Sequence, residues 1–157
     1  IGLDYKIKTI KELQQKVFEE LLGIALESNK PVILHCRYSH RRAFEMVKDR
    51  KVERAVFHWY SGSLDLLDKI LSMGYYISAT PALIYSPPHQ EAIKRAPLEK
   101  ILLETDTPVS YRGEESRPKD VQVTLEEVAR LKRLGPHIVS AQTTTNASQF
   151  FQIPFQL

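Results

Sequence analysis

The sequence predicts an α/β fold, a partial (β/α)8 barrel of the TIM type with about five parallel strands and their covering helices. Three observations carry this expectation. Short apolar runs recur at intervals of about 20 to 30 residues, the spacing of βαβ units. Amphipathic stretches with helical start and stop signals fill the intervals. Three of the runs end in a histidine or a carboxylate, at positions that a parallel sheet brings to one face.

The candidate strands are Ile1–Tyr5, Val32–Cys36, Ala55–Trp59, Tyr75–Ala79 and Ile101–Glu104. Each is brief, apolar on both faces and bounded by turn residues, as suits a parallel strand covered by helices. After the first, Thr9 and Glu12 have the spacing of a capping box. Leu13, Val17, Leu21 and Ile24, with Leu22 and Ala25 beside them, then give a 3.6-residue apolar face that Asn29 and Pro31 end. A second helix is expected over His40–Arg50, with Ala43, Phe44 and Val47 toward the core. The third starts at Ser63 and closes at Gly74, where glycine accepts the left-handed conformation. A weaker helical pattern covers Gln90–Ala96. Another covers Leu125–Leu134, opened by Thr124 and Glu127 and ended at Gly135, and a last one covers Thr144–Phe151. Tyr111–Asp120 is charged, carries Gly113 and Pro118, and reads as a loop.

All 157 residues read as one α/β domain. Five strands fall short of a complete barrel, which takes about 250 residues. A doubly wound open sheet fits the length better, yet no Gly-rich phosphate loop follows any strand, so the choice falls to the polar residues. The chain opens inside a candidate strand, which leads to the expectation of residues upstream of Ile1. Hydrophobic residues at 43% and charged residues at 26% are the proportions of a soluble globular protein. The net charge of +3 permits an anionic partner without requiring one. No apolar run is long enough for a membrane span. The single cysteine, Cys36, excludes an internal disulfide and points to a reducing, cytoplasmic setting.

The chemistry is concentrated at strand ends. Pro31-Val32-Ile33-Leu34 leads into His35, Ala55-Val56-Phe57 leads into His58, and Ile101-Leu102-Leu103 leads into Glu104-Thr105-Asp106. Two imidazoles and a carboxylate with an open position are the ligand set of a catalytic zinc site. A divalent cation in such a site lowers the pKa of its water and polarises a phosphoryl or carbonyl oxygen. A single histidine after an apolar run is more often a hydrogen-bonded core or loop residue, and Glu104 equally suits a buried acid paired with an arginine. Both readings stand at this level.

The segments PVILHCR (31–37), VFHWYSG (56–62) and ILLETDTP (101–108), after the opening IGLDY (1–5), resemble in order and spacing the TatD family of metal-dependent deoxyribonucleases. That family belongs to the amidohydrolase-like barrel superfamily. The resemblance implies one or two divalent metal ions (Mg, Mn or Zn) and DNA as substrate. It implies metal ligation by His35, His58 and Asp106; the chemistry of such a site separately lets Asp106 hold both metal and nucleophilic water and act as the catalytic base. The resemblance places Arg37 near the scissile phosphate and Asp4 and Glu104 behind the ligands as orienting groups. The family's N-terminal HxH pair and its metal-bridging glutamate have no counterpart here and would lie before Ile1. Ser116-Arg117-Pro118 only partly matches the family's Asn-Glu-Pro stretch, and Tyr38-Ser39-His40 replaces its acidic-small pair. Hydrolysis of an amide, lactone or small phosphoester by a related enzyme is the alternative. An inactive incomplete barrel that forms a homo-oligomer through its open sheet edge is another.

Further residues have two readings each. His40-Arg41-Arg42 and Arg50-Lys51 form a basic rim for phosphates or an ordinary solvated helix face. Tyr38, Trp59 and Tyr60 stack on bases or pack beneath loops. Cys36 points away from His35 by strand alternation and belongs to the core. His89 and His137 read as loop histidines.

Overall fold

The computed structural model describes residues 1–154. One sheet contains β1 (Gly2–Asp4), β2 (Val32–Arg37), β3 (Ala55–Phe57), β4 (Tyr76–Ala79) and β5 (Ile101–Leu103). The helices are α1 (Lys11–Glu27), α2 (His40–Asp49), α3 (Leu64–Ser72), α4 (Pro87–Arg95), α5 (Val121–Lys132) and α6 (Pro136–Phe151).

The strands lie in the order β1-β2-β3-β4-β5, each parallel to its neighbours. A doubly wound sheet reverses its order at a switch point, whereas this one never does. Sequential strands with a helix after each are the barrel arrangement. Among the described residues β1 and β5 are the two edges, so the barrel is open.

Strand alternation sorts the side chains into two sets. Val32, Leu34, Ala55, Phe57, Ile77 and Ile101 belong to the main core between sheet and helices. On the other face Val56 and Leu102 form a smaller cluster with Phe150 of α6, with Tyr76 packed against it. The polar strand-end residues share this inner face. His58, Ser78 and Glu104 border a cavity of about 590 Å³ that Ile33, Val56, Leu102 and, from α6, Phe151 also line.

The first helix packs on a different face from the one its periodicity suggests. Phe18 and Leu22 are its buried residues, while Leu13, Val17 and Ile24 are 51%, 46% and 58% exposed. The apolar residues of α1 fall on two stripes, and packing on β1 selects the stripe that also carries Gln14. Gln14 acts as a substitute strand at the sheet edge: its Oε1 accepts from the Asp4 N–H and its Nε2 donates to the Asp4 carbonyl, each at 2.8 Å. The edge residue thereby keeps both backbone groups bonded. The Thr9/Glu12 box does not form, because the helix starts one residue later, at Ile10, without a side-chain cap.

Gly2 lies beside β2 with a φ of 152°, and a Cβ there would stand 2.0 Å from the His35 carbonyl oxygen. Glycine is what lets β1 approach β2 this closely. Gly74 (φ 80°) follows the third helix as expected, after its N-cap Ser63.

The C-terminal elements depart further. The fifth helix begins at Val121, so Thr124 lies inside it, fully buried, and donates its hydroxyl to the Glu104 carbonyl at 3.0 Å. The helix ends in left-handed Arg133 (φ 57°), before Gly135. The last helix starts at Pro136, eight residues earlier than the periodicity suggests, because Pro at the first turn is a helix start. The expected loop Tyr111–Asp120 contains a small hairpin, β6 (Ser110–Tyr111) and β7 (Glu114–Glu115). Arg112 and Gly113 turn it with positive φ at both positions, the two-residue turn that suits strand twist.

The two stripes of α1 make a direct comparison. Phe18→Ala should cost about 3–5 kcal/mol by leaving a cavity, whereas Val17→Ala should change stability by no more than about 0.5 kcal/mol. Urea denaturation of the two variants checks this, and equal losses would contradict the packing described.

Candidate metal centre

Each polar group of the inner face is delivered by the C-terminal end of a strand. β2 supplies His35 and Arg37, β3 is followed by His58, β4 carries Ser78, and β5 is followed by Glu104 and Asp106. Asp4 ends β1 and stands in register with Arg37.

The side chains form a continuous row. Asp4 Oδ2 lies 3.4 Å from His35 Nε2, His35 Nδ1 lies 3.2 Å from His58 Nε2, and His58 Nδ1 lies 3.3 Å from Glu104 Oε1. That Glu104 oxygen also accepts from the Trp59 N–H at 3.3 Å and from the Ser78 hydroxyl. Each imidazole therefore has one nitrogen on a carboxylate and turns the other toward a common point. Donor atoms of His58, Glu104 and Asp106 lie within 4.8 Å of one another.

These residues fit a divalent cation. Two nitrogens bound to one ion at about 2.0–2.1 Å in tetrahedral geometry stand roughly 3.3 Å apart, close to the spacing of His35 and His58. Carboxylates behind ligating imidazoles fix their tautomers and orientation. Glu104 is already engaged by three donors, which suits an orienting role better than ligation. Asp106 sits beside the pair in left-handed conformation, with φ 51°.

The electrostatics follow from these contacts. Burial by itself lowers the basicity of His58, but the hydrogen bond and charge of Glu104, with Asp106 adding, raise it above the ordinary value. Burial works against ionisation of Glu104, and its bonds from His58 and Ser78 still hold its pKa below the usual carboxylate range. Asp4 is likewise held low, by the Lys6 N–H and by His35 and Arg37, despite its desolvation.

All six residues singled out in the sequence, namely Asp4, His35, Arg37, His58, Glu104 and Asp106, stand at the same end of the sheet. Ser78 and Gln14 are additions. Ser78 had a signal, being the one small polar side chain on the inner face of an apolar strand; Gln14 had none. The Cys36 thiol points to the helix side, where burial pushes its pKa up to about 12, as befits a core residue. Tyr60 is fully buried and donates to the Ser63 carbonyl at 2.7 Å, so it packs rather than stacks on substrate. Trp59 rests on Tyr111 with ring centroids 5.3 Å apart, and Tyr38 is 76% exposed.

The basic rim is smaller than its sequence suggests. Arg50 pairs with Glu19, and Arg42 bonds Gln15 and lies near Glu45. Arg50 and Lys51 stand at the far end of α2, about 15 Å along its axis from His40, away from the site.

His89 is not a loop histidine. It lies fully buried in α4, with Nδ1 2.7 Å from the Tyr60 carbonyl and Nε2 accepting from the Thr80 N–H at 3.2 Å. It braces the turn that follows His58 against the turn that follows β4. His137 is exposed, on the first turn of α6.

Comparison with known proteins agrees with the geometry. Residues 1–152 match the family described as TatD related DNase. The chain belongs to this family. A metal-dependent hydrolase of Methanocaldococcus jannaschii, itself uncharacterised, is 33% identical over 154 residues, covering 97% of this chain and 61% of the relative. Human deoxyribonuclease TATDN3 is 28% identical, covering 96% of this chain and 58% of that protein. The crystal structure of YJJV, a TatD homologue from Escherichia coli K12, superposes with a TM-score of 0.91 at 28% identity, over 98% of this chain and 62% of that one. This TatD-family chain thus spans about three-fifths of the length of these relatives. The open sheet corresponds to part of their barrel. No helix among the described residues is long and apolar enough to cross a membrane.

Burial pushes the His89 pKa down to about 4. A depressed histidine contributes stability that is complete above its unfolded value of about 6.5 and is lost as pH falls toward the folded value. Between pH 7 and pH 5 this loss should be about 2 kcal/mol. His40, also held at about 4 by burial and by His35 and His58, acts in the same direction. Urea denaturation at both pH values should show a smaller loss for His89→Gln than for the parent chain. Identical losses would mean that His89 does not titrate on unfolding.

Proposed function

We propose that this chain carries the centre of a metal-dependent hydrolase that cleaves DNA phosphodiester bonds, with His35, His58 and Asp106 as metal ligands. The observation that carries the reading is the paired arrangement of the imidazoles. Asp4 backs His35 at 3.4 Å and Glu104 backs His58 at 3.3 Å, leaving the two remaining nitrogens facing each other at 3.2 Å. A structural histidine has no need of this doubled arrangement, whereas ligand histidines regularly have it. Membership of the TatD family and the deoxyribonuclease name of the human relative support DNA as the substrate.

A divalent cation bound here (Mg, Mn or Zn) supplies Lewis acidity toward the phosphoryl oxygen and lowers the pKa of water. The residues do the remainder. Glu104 and Asp4 hold the proton on the outer nitrogen of each imidazole and so keep the inner nitrogen as a free electron pair. Asp106 accepts a proton from the attacking water. The exposed Arg37 guanidinium, adjoining Asp4, offers two parallel donors to the non-bridging phosphate oxygens.

Asp106→Asn should lower cleavage of an oligonucleotide in Mn²⁺ by about a hundredfold or more, as expected for a lost base and ligand. Equal rates would remove Asp106 from the mechanism. Turnover of a cyclic amide or lactone without cleavage of DNA would move the substrate assignment to the related amidohydrolase chemistry.

Glu104→Gln tests the orienting role separately. Isothermal titration with Mn²⁺ should show affinity about 10 to 100 times weaker while Asp106 remains in place. Unchanged affinity would contradict that role, and absence of binding by the parent chain would favour an inactive barrel.

A further inference from the structure

One small side chain holds both the turn after β3 and the carboxylate behind His58. Ser78 sits in β4 between the core residues Ile77 and Ala79, opposite Leu102 of β5, and is 3% exposed. Its Oγ accepts from the Trp59 N–H at 2.9 Å, and its hydroxyl donates to Glu104 Oε1. That same Glu104 oxygen faces His58 Nδ1 at 3.3 Å. The apolar neighbours of Ser78 give packing no reason to prefer a hydroxyl, which costs free energy when buried unless it is bonded. Its use must lie in the groups it connects.

The donors and acceptors along this chain have one fully bonded order. A backbone amide can only donate, so the Trp59 N–H obliges Ser78 Oγ to accept. A serine hydroxyl carries a single proton, and Glu104 Oε1 is the one acceptor it has among the described residues. The reverse order, a protonated carboxyl donating to Oγ, would strand that hydroxyl proton without an acceptor. Glu104 Oε1 is therefore an acceptor in every contact, and the proton between it and His58 belongs to Nδ1. In a neutral imidazole the free electron pair then falls on Nε2, the nitrogen that faces His35 at 3.2 Å.

We propose that Ser78 is a positioning residue for His58: it passes the polarity of the Trp59 amide through Glu104 and so fixes which imidazole nitrogen is free to bind a metal ion. The Asp4–His35 pair is built differently. There the carboxylate accepts from the Lys6 N–H at 2.8 Å, with no hydroxyl interposed. The use of the freed nitrogen as a ligand rests on the hydrolase reading above, whereas the placement of the proton does not.

The test compares the parent chain with Ser78→Ala and Ser78→Thr. The first removes the hydroxyl; the second keeps it, with the cavity of about 590 Å³ beside it to take the added methyl group. Imidazole nitrogen NMR spectra of the metal-free chains in EDTA at about pH 9, well above the ordinary histidine value, report which ring nitrogen carries the proton. His58 should be protonated on Nδ1 in the parent and in Ser78→Thr. In Ser78→Ala the share of the Nε2–H form should rise about tenfold, the worth of one hydrogen bond to a charged group. Isothermal titration should show Mn²⁺ bound about tenfold more weakly by Ser78→Ala and normally by Ser78→Thr. A parent chain with the proton on Nε2 would overturn the proposal, whether or not Ser78→Ala folds. So would a Ser78→Ala chain that loses stability while its tautomer stays as in the parent, or a Ser78→Thr chain that fails to restore the parent spectrum. A parent that shows the expected tautomer and its dependence on Ser78 but binds no Mn²⁺ leaves the proton arrangement standing and removes the hydrolase reading. Equal Mn²⁺ affinity in all three chains does the reverse.

Discussion

The carboxylate of Glu104 ties together the ends of three strands. From its place after β5 it reaches the Ser78 hydroxyl of β4 and both the imidazole and the following backbone N–H at the end of β3. Its own carbonyl is held by Thr124 of α5, so the helix that follows the hairpin is anchored to the same residue. Three donors converging on one oxygen keep it ionised in spite of burial, and that charge in turn keeps His58 basic. Remove this carboxylate and the ends of β3, β4 and β5 lose their common partner at the point where the cavity opens.

How much of this was legible depended on whether a residue reported on its own position or on a neighbour's. His35, His58, Glu104 and Asp106 were legible because each ends an apolar run, and parallel topology converts equivalent strand ends into spatial neighbours. Ala43, Phe44 and Val47 were legible because α2 has a single apolar stripe. The packing face of α1 was not, since its leucines, isoleucines and valines outnumber what one face needs, and only contact with β1 decides between Phe18 and Leu13. Gln14 carries no signal in the sequence and Thr124 reads there as a helix start, because their actual partners are backbone atoms 10 and 20 residues away. His89 shows the same blindness: nothing in Pro87-Pro88-His89 announces that both ring nitrogens are buried against main chain.

The site is also the place where backbone regularity is given up. Tyr38, Trp59 and Asp106 all have positive φ, at the turns following β2, β3 and β5. Such conformations cost of order 1–3 kcal/mol each for non-glycine residues and persist only where surroundings impose them. Here the surroundings are identifiable. Trp59 is fixed by its N–H bonds to Ser78 and Glu104 and by its packing on Tyr111. The turns are thus part of the same arrangement that aims the imidazoles, and local propensity alone would have placed these side chains elsewhere.

Gly2 has no functional group and touches no substrate, yet it governs the distance between the strand that bears Asp4 and the strand that bears His35. A methyl group at this position would push the edge strand outward, and Asp4 would move with it, out of reach of the imidazole it backs. The electrostatics of the candidate metal centre therefore depend partly on the smallest side chain in the sheet. In an enzyme of this design, the range of sequences that evolution can sample at position 2 is limited by electrostatics one strand away, through a purely steric intermediary.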